Sequence, residues 1–395
     1  MLLGLFVACT PVYDLQEVEY DGPYLLDEEV ENKVDQSEES WRFQSAATDY
    51  AEKGNYSQSL IAWDQDYLDR TPELNLEELA NDSLSFFESY QARRALPYIL
   101  ELAKDRRIVI INEAHHLPKA RVFTRSLLDG LKDLGFRHLG LEALSHADSS
   151  INERGFPVQK TGFYTREPQF GNLLRDAMQM GFQLFPYEAQ GGENGREREL
   201  AQATQIAAYL ETHPEAKVLI HCGYAHAYKG NYPAWEKAMA GRLQEMTGIE
   251  PLCIDQQAYR ERSEKRFEAK DYRFQHLAFP TVYLDSLGQS FKLPNNADFV
   301  DVVVFHERTE WREGRPQWIF GQKYQPVTLD LSTVEMEPPF LVGAFLKKEG
   351  IQSSIPIDLM EVKEKGKVLL SLSRGQYIIV LSSQTQGLAF DFSVN

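Results

Sequence analysis

The chain has 395 residues, 43% of them hydrophobic and 25% charged, enough for a large core and more than one domain. A formal net charge of -18 argues against binding nucleic acid or an anionic membrane surface through the body of the protein, since both need basic patches. Three cysteines give little basis for a disulfide framework; at most Cys222 and Cys253, both at predicted strand ends, pair with each other.

Met1 to Cys9 is an apolar stretch too short to span a bilayer, with a small residue before the cysteine. It is similar to a bacterial lipoprotein signal ending in a lipobox, so processing and lipidation at Cys9 are expected. The mature chain would then be held at the bacterial cell envelope by its lipid alone, facing the periplasm or the cell exterior. Residues 10–40 are acid-rich, with Asp27-Glu28-Glu29 and Glu38-Glu39, and read as a flexible tether. Between 41 and 100 the spacing becomes helical. Tyr50 to Leu60 resembles one tetratricopeptide-type helix-turn-helix with Gly54-Asn55 as its turn, and one unit makes no solenoid, so packing on the next domain is expected.

Residues 101–325 carry the α/β pattern. Arg107-Ile108-Val109-Ile110-Ile111-Asn112-Glu113-Ala114-His115-His116 is an apolar run stopping on a carboxylate and two imidazoles, as a central parallel strand ending in chemistry would. From Pro118 the apolar spacing is helical, with Gly135 as its C-cap. Phe136 to Glu142 is a second strand ending on an acid, and Gly181 to Glu188 a third. Gly191 to Gly195 forms a loop able to cover the strand ends, and Arg196-Glu197-Arg198-Glu199 opens a helix. Lys217 to His221 is the fourth strand, turning out through Cys222-Gly223-Tyr224-Ala225-His226. Trp235 and Leu243 are expected on the helix that follows, Pro251 to Asp255 as another strand, and Phe299 to His306 as the last, at the sheet edge. Residues 326–395 break into short strands with turn signals such as Ser373-Arg374-Gly375, which predicts a small antiparallel β module. The expected fold is therefore α/β, a mostly parallel sheet with helices on both faces, preceded by a helical segment.

Three signatures, Asn112-Glu113-Ala114-His115-His116, then Gly140-Leu141-Glu142, then His221-Cys222-Gly223-Tyr224-Ala225-His226, resemble in order and spacing those of the erythromycin-esterase/haem-uptake (EreA/ChaN-like) superfamily. The resemblance covers roughly residues 101–320. It implies that Glu113, His115, Glu142, Gly223 and His226 stand at the rim of the sheet, and that an arginine, Arg196 or Arg198, faces the pocket. The superfamily holds esterases, haem-binding lipoproteins and metal-dependent proteases, so it bears on fold more than on reaction.

His115 with Glu113 or Glu142 supplies an imidazole and a carboxylate to orient it, the pairing that activates water. His226 is placed to bind substrate or move a second proton. Arg121, Arg125 and Arg196 are candidates to hold a substrate carboxylate or an oxyanion, and Glu188, Tyr187 and Tyr224 to line the pocket. No Gly-x-Ser-x-Gly elbow occurs. The expected function is hydrolysis of an ester or amide in a small molecule or peptide, without a cofactor. The alternatives are a divalent metal held by His115, Glu142, Glu188 and His226, or a lipoprotein that captures haem or metal without catalysis.

Overall fold

The computed structural model describes residues 13–71 and 87–395. Cys9 and the apolar stretch before it lie outside the described residues. In chain order, the N-terminal elements are α1 (Asp27–Asp35), α2 (Arg42–Glu52) and α3 (Tyr56–Asp64). The central domain follows with β1 (Gln91–Arg94), α4 (Ala95–Ala103), β2 (Ile108–Glu113), α5 (Pro118–Asp133), β3 (Phe136–Leu141), α6 (Pro168–Gln179) and β4 (Gln183–Pro186). It continues with α7 (Gly195–Thr212), β5 (Lys217–Gly223), α8 (Met239–Thr247), β6 (Leu252–Tyr259), β7 (Thr281–Leu284) and β8 (Val302–Phe305). The C-terminal strands are β9 (Gln325–Asp330), β10 (Phe340–Leu346), β11 (Asp358–Val362), β12 (Lys367–Leu372), β13 (Gly375–Ser382) and β14 (Gly387–Val394).

Successive residues of β2 enter two different cores, which is why its apolar run has no polar alternation. Ile108 and Ile110 pack with α7 and α8 through Ala203, Ile206 and Leu243; Val109 and Ile111 pack with α4, α5 and α6 through Ile99, Leu127 and Leu173. The eight-stranded sheet has the order β1-β7-β8-β6-β2-β5-β3-β4. Its strands from β8 to β4 are all parallel; β7 runs antiparallel to β8, and β1, antiparallel to β7, points the same way as the parallel set. The chain leaves β2 toward β3 and β4, returns to place β5 beside β2, and then crosses to β6. The winding direction thus reverses around β2 and β5, and ligands of such sheets bind outside the carboxyl ends at that point.

The structure alters several expectations. Val302–Phe305 lies inside the sheet, and the edge is Gln91–Arg94, a polar and exposed strand whose residues give no apolar pattern to read. Trp235 precedes α8 rather than lying on it. Cys222 and Cys253 are free, buried thiols. The acidic segment is no tether from residue 13 onward: Gln16–Glu17 pairs with β14, and α1 buries Val30 between helices while Asp27 pairs with Lys53 and Lys363. Those lysines, distant in sequence, offset the local self-repulsion.

The antiparallel sheet Gln16–Glu17, β14, β13, β10, β11 and the ribbon β9–β12 form the C-terminal module. It is bound to the α/β domain by Asn172 donating to the Ile357 carbonyl at 2.8 Å and by the buried Arg175–Glu349 pair at 2.6 Å. No helix among the described residues is long and apolar enough to cross a membrane.

Candidate active site

Strand β2 ends on Glu113, whose buried carboxylate receives Nε and Nη2 of Arg121 from α5 at 2.7 and 2.8 Å. Burial raises the affinity of Glu113 for a proton, but Arg121, together with a hydrogen bond from His115, more than reverses this and holds it well below the usual carboxylate range. An ionised Glu113 accepts from Nδ1 of His115 at 3.1 Å, so Nδ1 carries the ring proton and Nε2 presents its lone pair. Among the described residues that Nε2 has no hydrogen-bond partner. The ring is stacked under Tyr164 at 3.8 Å and meets the edge of Tyr224 at 4.9 Å, which fixes its plane.

Gly223, the last residue of β5, explains how the three strand ends converge. A Cβ there would lie 2.5 Å from Cε1 and 2.8 Å from Nε2 of His115, and 3.4 Å from a carboxylate oxygen of Glu142. Only a bare backbone lets the imidazole and the acid meet over it. The next residue, Tyr224, is in the left-handed region at φ 43°, and Asn112 stabilises that turn by donating from Nδ2 to the Tyr224 carbonyl at 2.7 Å.

Glu142, just beyond β3, accepts from the Gly223 N–H and from Nη2 of Arg198 at 2.7 Å. Burial opposes its charge, but His226, His115 and Arg198 outweigh this and bring it down to about 2. Arg198, on α7, also grips Glu188 through Nε at 3.0 Å and Nη2 at 2.5 Å, and donates from Nη1 to Nε2 of His226 at 3.0 Å. His226 places Nδ1 2.8 Å from each oxygen of the buried Glu199 carboxylate and stacks on Trp235 at 5.2 Å. Burial lowers the proton affinity of His226, yet Glu142 and Glu199 together lift it above the ordinary imidazole value.

His115, Glu142, Glu188, Arg198, Tyr224 and His226 line a cavity of about 1050 Å³. The N-terminal helices contribute its far wall, through Trp41, Gln44 and Ser45 of the α2 region and Trp63 of α3. Trp63 stacks on the buried His116 at 3.9 Å, which seats the hairpin beside the loop that carries His115. Trp41 and Phe163, 54% and 55% exposed, stand at the mouth.

Of the residues expected at the site, Glu113, His115, Glu142, His226, Glu188 and Tyr224 are brought together. Four others are not. Arg121 is 1% exposed and fully engaged by Glu113, Glu167 and the His115 carbonyl, so it positions the carboxylate and has no free edge for substrate. Arg125 turns toward Gln169 and lies over Tyr324. Tyr187 is buried and donates to the His221 carbonyl at 2.9 Å. Arg196 is on the outer face of α7, paired with Glu236 at 2.7 Å, while Arg198, two residues on, faces the cavity: helix phase separates them. Glu199, Tyr164 and Trp63 carried no signal in the sequence, because none lies in an apolar-to-polar strand ending.

The residues expected to bind a metal do not fit one. The Arg198 guanidinium contacts Glu142, Glu188 and His226 together and stands where a cation would, and no group of three ligating side chains suited to a metal ion occurs among the described residues. Arg198, which lines the cavity, is already engaged by the Glu142 and Glu188 carboxylates.

No family model matches the chain, and no curated protein matches it. Among solved structures it is similar to the type III effector HopBA1, at 12% identity and TM-score 0.35, over 55% of this chain and 97% of that one. It is similar to RRSP, a MARTX toxin effector domain from Vibrio vulnificus CMCP6, at 19% identity and TM-score 0.30, over 55% of this chain and 49% of that one. ChaN of Campylobacter jejuni, described with cofacially bound haem, gives 9% identity and TM-score 0.29, over 56% of this chain and 98% of that one. With all three TM-scores under 0.5, neither fold nor activity passes from these proteins to this chain. The resemblance to the EreA/ChaN-like superfamily rests on the three signatures alone.

Proposed function

We propose that the protein is a hydrolase in which His115 activates water against an ester or amide carbonyl. The observation that carries this reading is the wiring of His115: Nδ1 on an ionised buried carboxylate, ring clamped between two tyrosines, Nε2 unpartnered at the floor of a cavity. Water attacks the carbonyl carbon and its proton passes to Nε2, while Glu113 stabilises the imidazolium that forms. Tyr164, which burial and the nearby Glu142 and Glu113 push up to about 12, keeps its phenolic proton at neutral pH and can donate to the developing oxyanion. Arg198 holds Glu142 and Glu188 in place rather than the substrate. The apolar Met1–Cys9 stretch supports a lipid-anchored location in the cell envelope, which release of a Cys9→Ala variant into the soluble fraction would test.

The test is a panel of esters and amides assayed with the wild type and His115→Ala. We expect a loss of about 10³-fold in kcat with the thermal midpoint within a few degrees of the wild type. Absence of any turnover that depends on His115 would sink the hydrolase reading.

A further inference from the structure

The site holds a second imidazole wired like the first. His115 rests its Nδ1 on Glu113; His226 rests its Nδ1 between the two oxygens of Glu199. Glu199 is fully buried, sits one residue past Arg198 on α7, and accepts the Met239 N–H at the start of α8, at 2.7 Å, on the same oxygen that hydrogen-bonds His226. The stacking of His226 on Trp235 fixes the ring plane, as Tyr164 does for His115. Nε2 of His226 comes within 3.7 Å of Glu142, the same carboxylate that borders His115 across Gly223.

We infer that Glu199 is a positioning residue that holds His226 as the proton donor to the leaving group, opposite His115 as the base. This rests on the hydrolase reading and assigns the second half of its proton traffic. His226 in its imidazolium form carries protons on both nitrogens, Nδ1–H to Glu199 and Nε2–H toward the cavity. In that form the Arg198 hydrogen bond to Nε2 is given up and Glu142 becomes the neighbour that favours the charge. When the tetrahedral adduct collapses, the bond from carbon to the leaving oxygen or nitrogen breaks. The electron pair goes to the leaving atom, and that atom takes the Nε2 proton. The proton that His115 took from water is lost to solvent and one returns to His226, so the net reaction consumes one water and releases an acid and an alcohol or amine. Among the described residues the charged groups that face His226 are Glu142, Glu199 and Arg198.

Glu199→Gln keeps the shape and an acceptor but removes the charge. The first readout is the titration midpoint of His226 in the full-length protein with ¹⁵N-labelled histidine, assigned with His226→Asn. We expect it to fall by about one pH unit or more, with His115 unmoved. The second readout is the ratio of kcat for an ethyl ester to that for the p-nitrophenyl ester of the same acid. A poor leaving group needs the proton and a good one does not, so the ratio should fall at least about tenfold in Glu199→Gln, with no further fall when His226→Asn is added. A His226 midpoint that stays in place, or equal losses on both esters, overturns the inference. Absence of His115-dependent turnover alongside an intact midpoint shift would instead overturn the hydrolase reading, and with it the donor role, while leaving the wiring shown.

Discussion

At the level of single residues, the site is made by what is missing at position 223 as much as by what is present at 113, 115 and 142. The Gly223 backbone is at φ -86° and ψ 147°, a conformation any residue adopts, so the demand for glycine there is spatial rather than conformational. Gly223→Ala should therefore fold normally and still push the His115 ring off its carboxylate. The expected outcome is a loss of roughly 10²-fold in kcat, in keeping with a displacement of about 1 Å, with unfolding free energy changed by less than about 1 kcal/mol. Steady-state kinetics and denaturant melts on the same preparation would check it; full activity in the alanine variant would mean His115 is not used where the structure places it.

Elements matter through the chain of contacts that links them behind the site. Arg121 on α5 divides its guanidinium between Glu113 and Glu167, and Glu167 caps α6 by accepting from the Gln169 and Phe170 N–H groups. Tyr56 on α3 closes the chain, donating its hydroxyl to Glu167 at 3.1 Å. The N-terminal hairpin is thus tied to the Glu113 carboxylate through two side chains, besides supplying the Trp63 wall. Tyr56→Phe should cost about 1 kcal/mol of stability, a little more if Glu167 is left short of a donor, and should lower kcat less than tenfold. A denaturant midpoint unchanged from the wild type would show that the hairpin does not depend on this contact.

For the whole molecule, buried titrating groups set the pH window of stability. Burial lowers the proton affinity of His116, His221 and His306, and brings His306 down to about 4. On acidification the unfolded chain takes up these protons near pH 6.5 and the folded chain does not, so the histidines' contribution to stability is whole above 6.5 and is lost as the pH falls toward 4. Glu52 works the other way. Burial raises it to about 8, so the folded state keeps a proton that the unfolded state gives up above about 4.5, and its contribution to stability declines from about pH 4.5 and is gone above about 8. In His306→Gln, the fall in unfolding free energy between pH 7 and pH 4.5 should shrink by roughly 2–3 kcal/mol. Denaturant melts at the two pH values give that difference directly, and an unchanged slope would remove His306 from the account.

Much of this was legible in the chain itself. Ile108–Ile111, Phe136–Leu141 and Lys217–Gly223 each join an apolar run to a polar end, and a parallel sheet covered on both faces must write that pattern, because alternate side chains enter two cores and the chemistry begins where the strand leaves them. Glu113, His115 and Glu142 could be named from it, and His226 from the resemblance carried by Gly223-Tyr224-Ala225-His226. The pattern has no hold on side chains whose role depends on packing. Arg196 and Arg198 read alike, and only the phase of α7 sends one to Glu236 and the other among Glu142, Glu188 and His226. Arg121 reads as a free cation and is a buried one. Local order, then, determined the strands, the helices and the rim acids and imidazoles, since these follow from periodicities of two and 3.6 residues. The tertiary structure alone decided that α2 and α3 wall the cavity, that Glu199 stands behind His226, and that Arg198 fills the place of a metal, since each depends on contacts between segments tens of residues apart that no periodicity records.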